Sequence, residues 1–211
     1  MTKRALLLIG SPKGLEASLS SRYARAIGAR LERNGWAVEL LHVHCAIEEG
    51  DDLVARTAVE LVLLVAPLYV DSLPAPVIGA FERMAEGRAG RGETIAPRLA
   101  ALVHCGFVEP KQNETAIEIC RQFAGASGFE WFGALALGGG GIPSRRVTRV
   151  LEEAGDALAK GFPIPPETRQ RAERPIMPRL FYILGGNLMW RRSAKRSGVS
   201  KEDLLAAPYA D

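Results

Sequence analysis

The chain is short of cysteine, of histidine and of long apolar runs, and each shortage excludes a class of protein. Three cysteines in 211 residues (Cys45, Cys105 and Cys120) are too few and too scattered for a disulfide framework or a CxxC metal site. A reducing cytoplasm is the setting they lead one to expect. All 3 histidines lie before residue 105, so no Asp-x-x-His stands near the C-terminus for a serine hydrolase. The longest apolar stretch, Leu61 to Val70, falls far short of the ~20 residues that cross a bilayer. The run Ala5–Ile9 is shorter still, and Gly10-Ser11-Pro12-Lys13 after it is not a signal-cleavage context. Two phosphate loops are missing by spelling: there is no GxxxxGK[ST] and no GxGxxG. With 47% hydrophobic residues and a net charge of only +3, the chain is not intrinsically disordered.

What is present suits one large domain, or one domain with an appendage. At this length a chain buries roughly 70% of its unfolded surface without help from disulfides. Charge is distributed unevenly. From Pro166 onward there are 9 Lys and Arg against 5 Asp and Glu; the preceding residues hold 18 against 19. The basic excess therefore belongs to the tail, which reads as a solvated face and implies no nucleic-acid partner.

The first 160 residues alternate strand-like and helix-like segments. Five apolar runs read as strands: Ala5–Ile9, Ala37–Val43, Leu61–Ala66, Leu99–Cys105 and Phe132–Leu137. Four are almost continuously apolar, as strands covered on both faces must be. The second carries Glu39 and His42 and belongs at an edge. Leu19, Tyr23, Ile27 and Leu31 form one helical stripe behind a serine cluster able to cap it. Val147, Val150, Leu151, Ala154 and Leu158 form another, and Ala116, Ile119, Cys120 and Phe123 a shorter one. Right-handed crossovers between such elements build a doubly wound α/β domain. After Lys160 the prolines of Phe162-Pro163-Ile164-Pro165-Pro166 predict a break and an extended linker. The expected division is a domain over 1–162 and an extension over 163–211. Within that extension Leu180–Arg192 is too apolar for water, so it is expected to pack on the body or on a second subunit rather than lie on a membrane surface.

Chemistry concentrates in three strand-end loops. After the first strand, Gly10-Ser11-Pro12-Lys13 and the downstream Ser18-Leu19-Ser20-Ser21 put small hydroxyl residues around a helix start, where N–H groups favour a phosphate. A capped helix without ligand is the plain alternative. After the third strand comes Pro67-Leu68-Tyr69-Val70-Asp71-Ser72. In the strand order 2-1-3-4-5 this loop and the first face the same crevice. After the fourth, His104-Cys105-Gly106-Phe107-Val108-Glu109-Pro110 opens on the same edge, with a glycine that lets backbone approach a flat ring. Gly138–Gly141 follows the fifth strand, either approaching that crevice or serving as a turn. His42 and His44 share a strand face but lack further metal ligands nearby, and His104 and Cys105, adjacent on a strand, point to opposite faces and cannot easily share a proton.

Together the Gly10-Ser11-Pro12-Lys13 turn, the Pro67-Leu68-Tyr69 loop and the Cys105-Gly106-Phe107-x-Glu109 segment resemble the NAD(P)H-dependent FMN reductase family of flavodoxin-like proteins, over about residues 5 to 160. The resemblance implies a flavodoxin-like doubly wound five-stranded parallel sheet of order 2-1-3-4-5, with helices on both faces and a C-terminal extension. It implies bound FMN, NADH or NADPH as electron donor, and frequent homodimerisation. Carried over by residue, Ser11, Lys13, Ser18, Leu19 and Ser20 would hold the phosphate. Pro67, Leu68, Tyr69, Val70 and Ser72 would border the ring, and Gly106 and Phe107 would close its other edge. No side chain is assigned a catalytic step, because flavin N5 carries the hydride. The acceptor would be a quinone-like, azo, nitro or flavin molecule. One departure stands out: the family's first loop often carries arginine and Asn-Thr where this chain has Lys13 and Ser-Leu-Ser, with a longer insertion. An electron carrier of flavodoxin type, or a binding module without FMN, fits the same fold. Carriers of that kind tend to be strongly acidic, and the pI here is near 8.9.

Overall fold

Five apolar runs become five parallel strands; four are covered on both faces, and the second is only partly buried. The computed structural model describes residues 2–14, 16, 18–50, 52–89 and 96–206. The strands are β1 (Arg4–Ile9), β2 (Ala37–His42), β3 (Leu61–Pro67), β4 (Arg98–His104) and β5 (Glu130–Leu137). They form one sheet of order β2-β1-β3-β4-β5, every pairing parallel. The polar second strand is at the edge, as its composition predicts.

Helices cover both faces. On one, α1 (Leu19–Arg33) and α6 (Arg145–Ala159) bury Tyr23, Ile27, Leu31, Val150, Leu151 and Leu158 against Leu7, Ile9, Leu63, Val65, Leu102 and Leu135. On the other, α2 (Val43–Glu48), α4 (Ala75–Arg88) and α5 (Glu114–Ala126) pack Val43, Phe81, Met84, Cys120 and Phe123 against Leu6, Leu8, Val62, Leu64 and Val103. A short helix α3 (Leu53–Arg56) precedes β3. Successive strand residues alternate between the two clusters because side chains project to opposite faces. Arg30 reaches from α1 to Asp156 of α6 in a bidentate pair of 2.7 and 2.6 Å, and the Trp36 indole donates to the Ala159 carbonyl at 3.0 Å.

Three expectations need correction. The second strand ends at His42 rather than Val43, because the His42 ring accepts from the Cys45 N–H and caps α2. The fourth ends at His104, so Cys105 already belongs to the loop. The prolines after Lys160 do not begin an extended linker: Pro165 is the N-cap and Pro166 the first residue of α7 (Pro166–Ala172). Proline lacks an N–H that a first turn would leave unpaired, and its φ suits that position. Ile164, Thr168 and Ala172, all past residue 162, are buried with the body. Beyond Pro178 lie α8 (Arg179–Arg196) and α9 (Lys201–Leu205). None of the eighteen residues of α8 is buried against the described residues.

Candidate functional site

A parallel sheet sends every strand-to-helix loop out of the same edge, and here those loops enclose a cleft of about 370 Å³. That size falls within the roughly 300–1,000 Å³ typical of small-molecule sites. Its walls are Ser11, Lys13, Leu19 and Arg22 from the first loop and α1, Pro67, Leu68 and Tyr69 after β3, His104, Cys105 and Gly106 after β4, and Gly140 with Gly141 after β5. The cleft therefore sits at the junction of β1 and β3, where the strand order changes direction.

The first loop is held close to the sheet by Gly10. A Cβ there would come within 2.6 Å of Val77 Cγ2 and 2.8 Å of the Ala66 Cβ. The Ser11 hydroxyl accepts from the Lys13 N–H at 3.2 Å, and the His42 ring donates to the Lys13 carbonyl at 3.0 Å. Helix α1 then starts at the cleft, with the N–H groups of Leu19 and Ser20 lacking any acceptor within the helix. Lys13 and Arg22 are exposed at the mouth, and neither forms an ion pair among the described residues. Two cations beside a helix start give this end of the cleft a positive potential.

Opposite lies a flatter wall. Tyr69 and Ser72 exchange backbone hydrogen bonds of 2.9 and 3.0 Å around a two-residue turn. Val70 and Asp71 take φ of +49° and +57° to make it. A β-branched residue in that region is strained, and the paired backbone hydrogen bonds that close the turn fix Tyr69 at the rim. Gly139 and Gly140 donate to the Phe107 and Cys105 carbonyls at 2.6 and 3.0 Å, which draws the β4 and β5 loops together. Asn113 braces the same junction, donating to the Pro110 and Leu137 carbonyls at 2.9 and 3.1 Å.

Of the twelve residues expected from sequence, the cleft brings together Ser11, Lys13, Leu19, Pro67, Leu68, Tyr69 and Gly106. Ser18, Ser20, Val70, Ser72 and Phe107 stand apart from its lining. Ser18 is the N-cap of α1, its hydroxyl accepting from Ser21 N–H at 3.0 Å and lying 2.7 Å from the Ser21 hydroxyl. The buried Ser20 hydroxyl is 2.9 Å from His104 Nε2. Val70 points wholly into solvent, Ser72 completes the turn, and Phe107, in the loop after β4, is half exposed. Sequence reasoning missed Arg22, one turn beyond Leu19 and therefore on the same helix face. It placed His104 and Cys105 in the loop that opens on this edge but gave neither side chain a role in the cleft.

His104 is a buried neutral base. Desolvation lowers its imidazole to about 4, and the ring stands edge-on to Tyr23 at 5.5 Å. Burial pushes the Tyr23 hydroxyl up, with Arg22 pulling the other way. Burial likewise raises the Cys105 thiol, so no thiolate forms near neutral pH. Both ring nitrogens of His42 are engaged, and His44 pairs with Glu48 at 3.4 Å. No cluster of three metal-ligating side chains occurs among the described residues.

The sheet order and the edge cleft define a flavodoxin-like fold. Solved structures agree on that architecture at low sequence identity. A flavodoxin of Streptococcus pneumoniae TIGR4 superposes with a TM-score of 0.58 at 12% identity, covering 75% of this chain and 99% of its own. The FMN-dependent NADH-azoreductase of Bacillus anthracis, solved in complex with FMN, gives 0.56 at 11% identity, covering 74% and 100%. The NAD(P)H:quinone oxidoreductase of Methanothermobacter marburgensis gives 0.54 at 17%, covering 75% and 96%. No protein-family model and no curated protein matches the chain by sequence. No helix among the described residues is long and apolar enough to cross a membrane.

Proposed function

We propose that this protein is an FMN-dependent oxidoreductase that takes a hydride from NADH or NADPH and passes electrons to a quinone-like, azo, nitro or flavin acceptor. One observation carries the reading. The cleft joins an anion-binding end, made by Lys13, Arg22 and the start of α1, to an aromatic and glycine-lined end at Tyr69, Gly106, Gly140 and Gly141. A phosphate on a flat ring system matches that division. The proteins of similar fold include a flavodoxin and an azoreductase crystallised with FMN, and this supports the choice of cofactor.

The residues present fit such a group. The N–H groups of Leu19 and Ser20, with the Ser11 hydroxyl, would hold the phosphate oxygens, and Lys13 and Arg22 would neutralise their charge. Ser18 and Ser20 would serve through the helix they cap and anchor rather than through direct hydroxyl contacts. Pro67, Leu68 and Tyr69 would support one side of the ring, and Gly106, Gly140 and Gly141 have no side chains to keep backbone from the other. The flavin, when bound, supplies the hydride chemistry; the protein positions it and sets its surroundings. His104 stays uncharged at neutral pH, so it adds no positive charge to the cleft.

The test is an absorption spectrum of protein purified without added cofactor, followed by FMN titration. Flavin bands, or stoichiometric quenching of FMN fluorescence, together with NADH or NADPH oxidation in the presence of menadione, are the expected results. A colourless protein that takes up no FMN would refute the proposal. FMN binding without turnover would leave an electron carrier.

A further inference from the structure

Helix α8 carries Leu180, Phe181, Ile183, Leu184, Leu188, Met189 and Trp190 in solvent, each between about half and two-thirds exposed. These side chains surround the helix instead of forming a stripe, and a helix apolar on all sides belongs in an interior. Its last turns change character: Arg191, Arg192, Lys195 and Arg196 form no ion pair among the described residues. Its first turn is tied to the cleft rim, where the Tyr182 hydroxyl donates to the Gly106 carbonyl and Arg179 lies 3.6 Å from Glu109. That anchorage directs the apolar length away from its own body.

On the sheet face covered by α4 and α5 lies a shallow groove of about 750 Å³, separate from the cleft. Ile78, Phe81, Ala85, Ile119, Phe123 and Ala126 line it. The Phe81 and Phe123 rings are stacked with centroids 3.8 Å apart, giving a flat apolar floor. Its rims are acidic, with Glu82 on α4 and Glu114 and Glu118 on α5. Glu82 and Glu114 form no ion pair among the described residues, whereas Glu118 is held by Arg121 of its own helix at 2.8 and 2.6 Å.

We infer that α8 of one copy docks into the α4–α5 groove of a second copy, and that the exchange is reciprocal. Apolar side chains meet an apolar floor, and the four cations meet a rim on which the Glu82 and Glu114 carboxylates have no ion-pair partner among the described residues. The dimensions agree. Helix α8 is about 27 Å long, and α4 and α5, which form the groove, are about 21 and 20 Å. The Leu180–Trp190 segment spans about 16 Å of it, and the basic turns follow at one end. Because each copy owns one such helix and one such groove, a two-fold axis satisfies both and closes the assembly as a dimer. The pairing does not depend on FMN or on the proposed activity.

Charge reversal tests it by sedimentation velocity on the full chain. Two variants are needed, Glu82→Arg with Glu118→Arg in the groove and Arg191→Glu with Arg192→Glu on the helix. All four side chains are on the surface, where substitutions seldom disturb folding, and circular dichroism checks each variant. The native chain should sediment at twice its 22.8 kDa mass. Each variant should dimerise at least about tenfold more weakly, since like charges now face each other. An equimolar mixture of the two should recover the dimer, because each variant's helix then opposes a groove of opposite charge. The inference fails if the native chain is monomeric, if either variant dimerises as the native chain does, or if mixing restores nothing. A monomer that instead cosediments with phosphatidylserine vesicles would assign α8 to a lipid surface and overturn the inference in the same way.

Discussion

The Ser20 hydroxyl and the His104 imidazole meet 2.9 Å apart in the interior, joining the first turn of α1 to the last residue of β4. These are the two elements whose ends form opposite walls of the cleft. The bond thus couples the cationic end of the cleft to the loop that carries Gly106.

Stability should depend on pH through His104. An unfolded histidine titrates near 6.5, whereas burial holds the folded one at about 4. Between those values the unfolded chain binds more protons, so stability is complete above pH 6.5 and is lost as pH falls through 4. The loss amounts to about 3 kcal/mol. Urea unfolding midpoints measured from pH 7 to 4 should fall, and His104→Gln should flatten that part of the profile.

Replacing Ser20 by alanine leaves His104 without its buried partner. The expected cost is about 1–3 kcal/mol in chemical denaturation. FMN affinity should fall as well, because the start of α1 loses its tie to β4.

Gly10→Ala tests the close approach beneath the first loop. Its new methyl would meet Val77 and Ala66 at distances real Cβ atoms do not tolerate, costing about 1–3 kcal/mol. An unchanged melting temperature would show that the loop can shift without loss.

At Val70 the direction reverses. The side chain is fully exposed and its φ is +49°, so no packing compensates the strain. Val70→Asn, a residue tolerant of that region, should stabilise by about 1 kcal/mol. Thermal unfolding measures it directly.

Lys13→Glu combined with Arg22→Glu should raise the Kd for FMN at least about tenfold at low salt. Riboflavin, which lacks the phosphate, should be affected far less. Fluorescence titration of both ligands separates charge from ring stacking.

The strands were legible because continuous apolar runs such as Leu61–Ala66 can only be covered on both faces, and α1 and α6 because one face recurs every three to four residues. Helix α4 was not: no apolar stripe marked it, and Pro74 and Pro76 stand at its start, where proline is compatible. The same proline chemistry concealed α7. The three site loops were legible because the strand order places them on one edge. The destinations of the Ser18 and Ser20 hydroxyls were not, since a serine near a helix start can serve the helix or a ligand with equal chemistry.

Amino-acid order by itself determined the layered α/β class and the polar edge strand, because hydrophobic periodicity and the handedness of crossovers leave few arrangements; the full sheet order came with the resemblance carried by the three loops. Tertiary structure alone decided that His104 faces Ser20 and that an apolar helix stands away from its own body. Each of those pairs residues far apart in the chain or sets one element's direction in space, and periodicity carries no information about either.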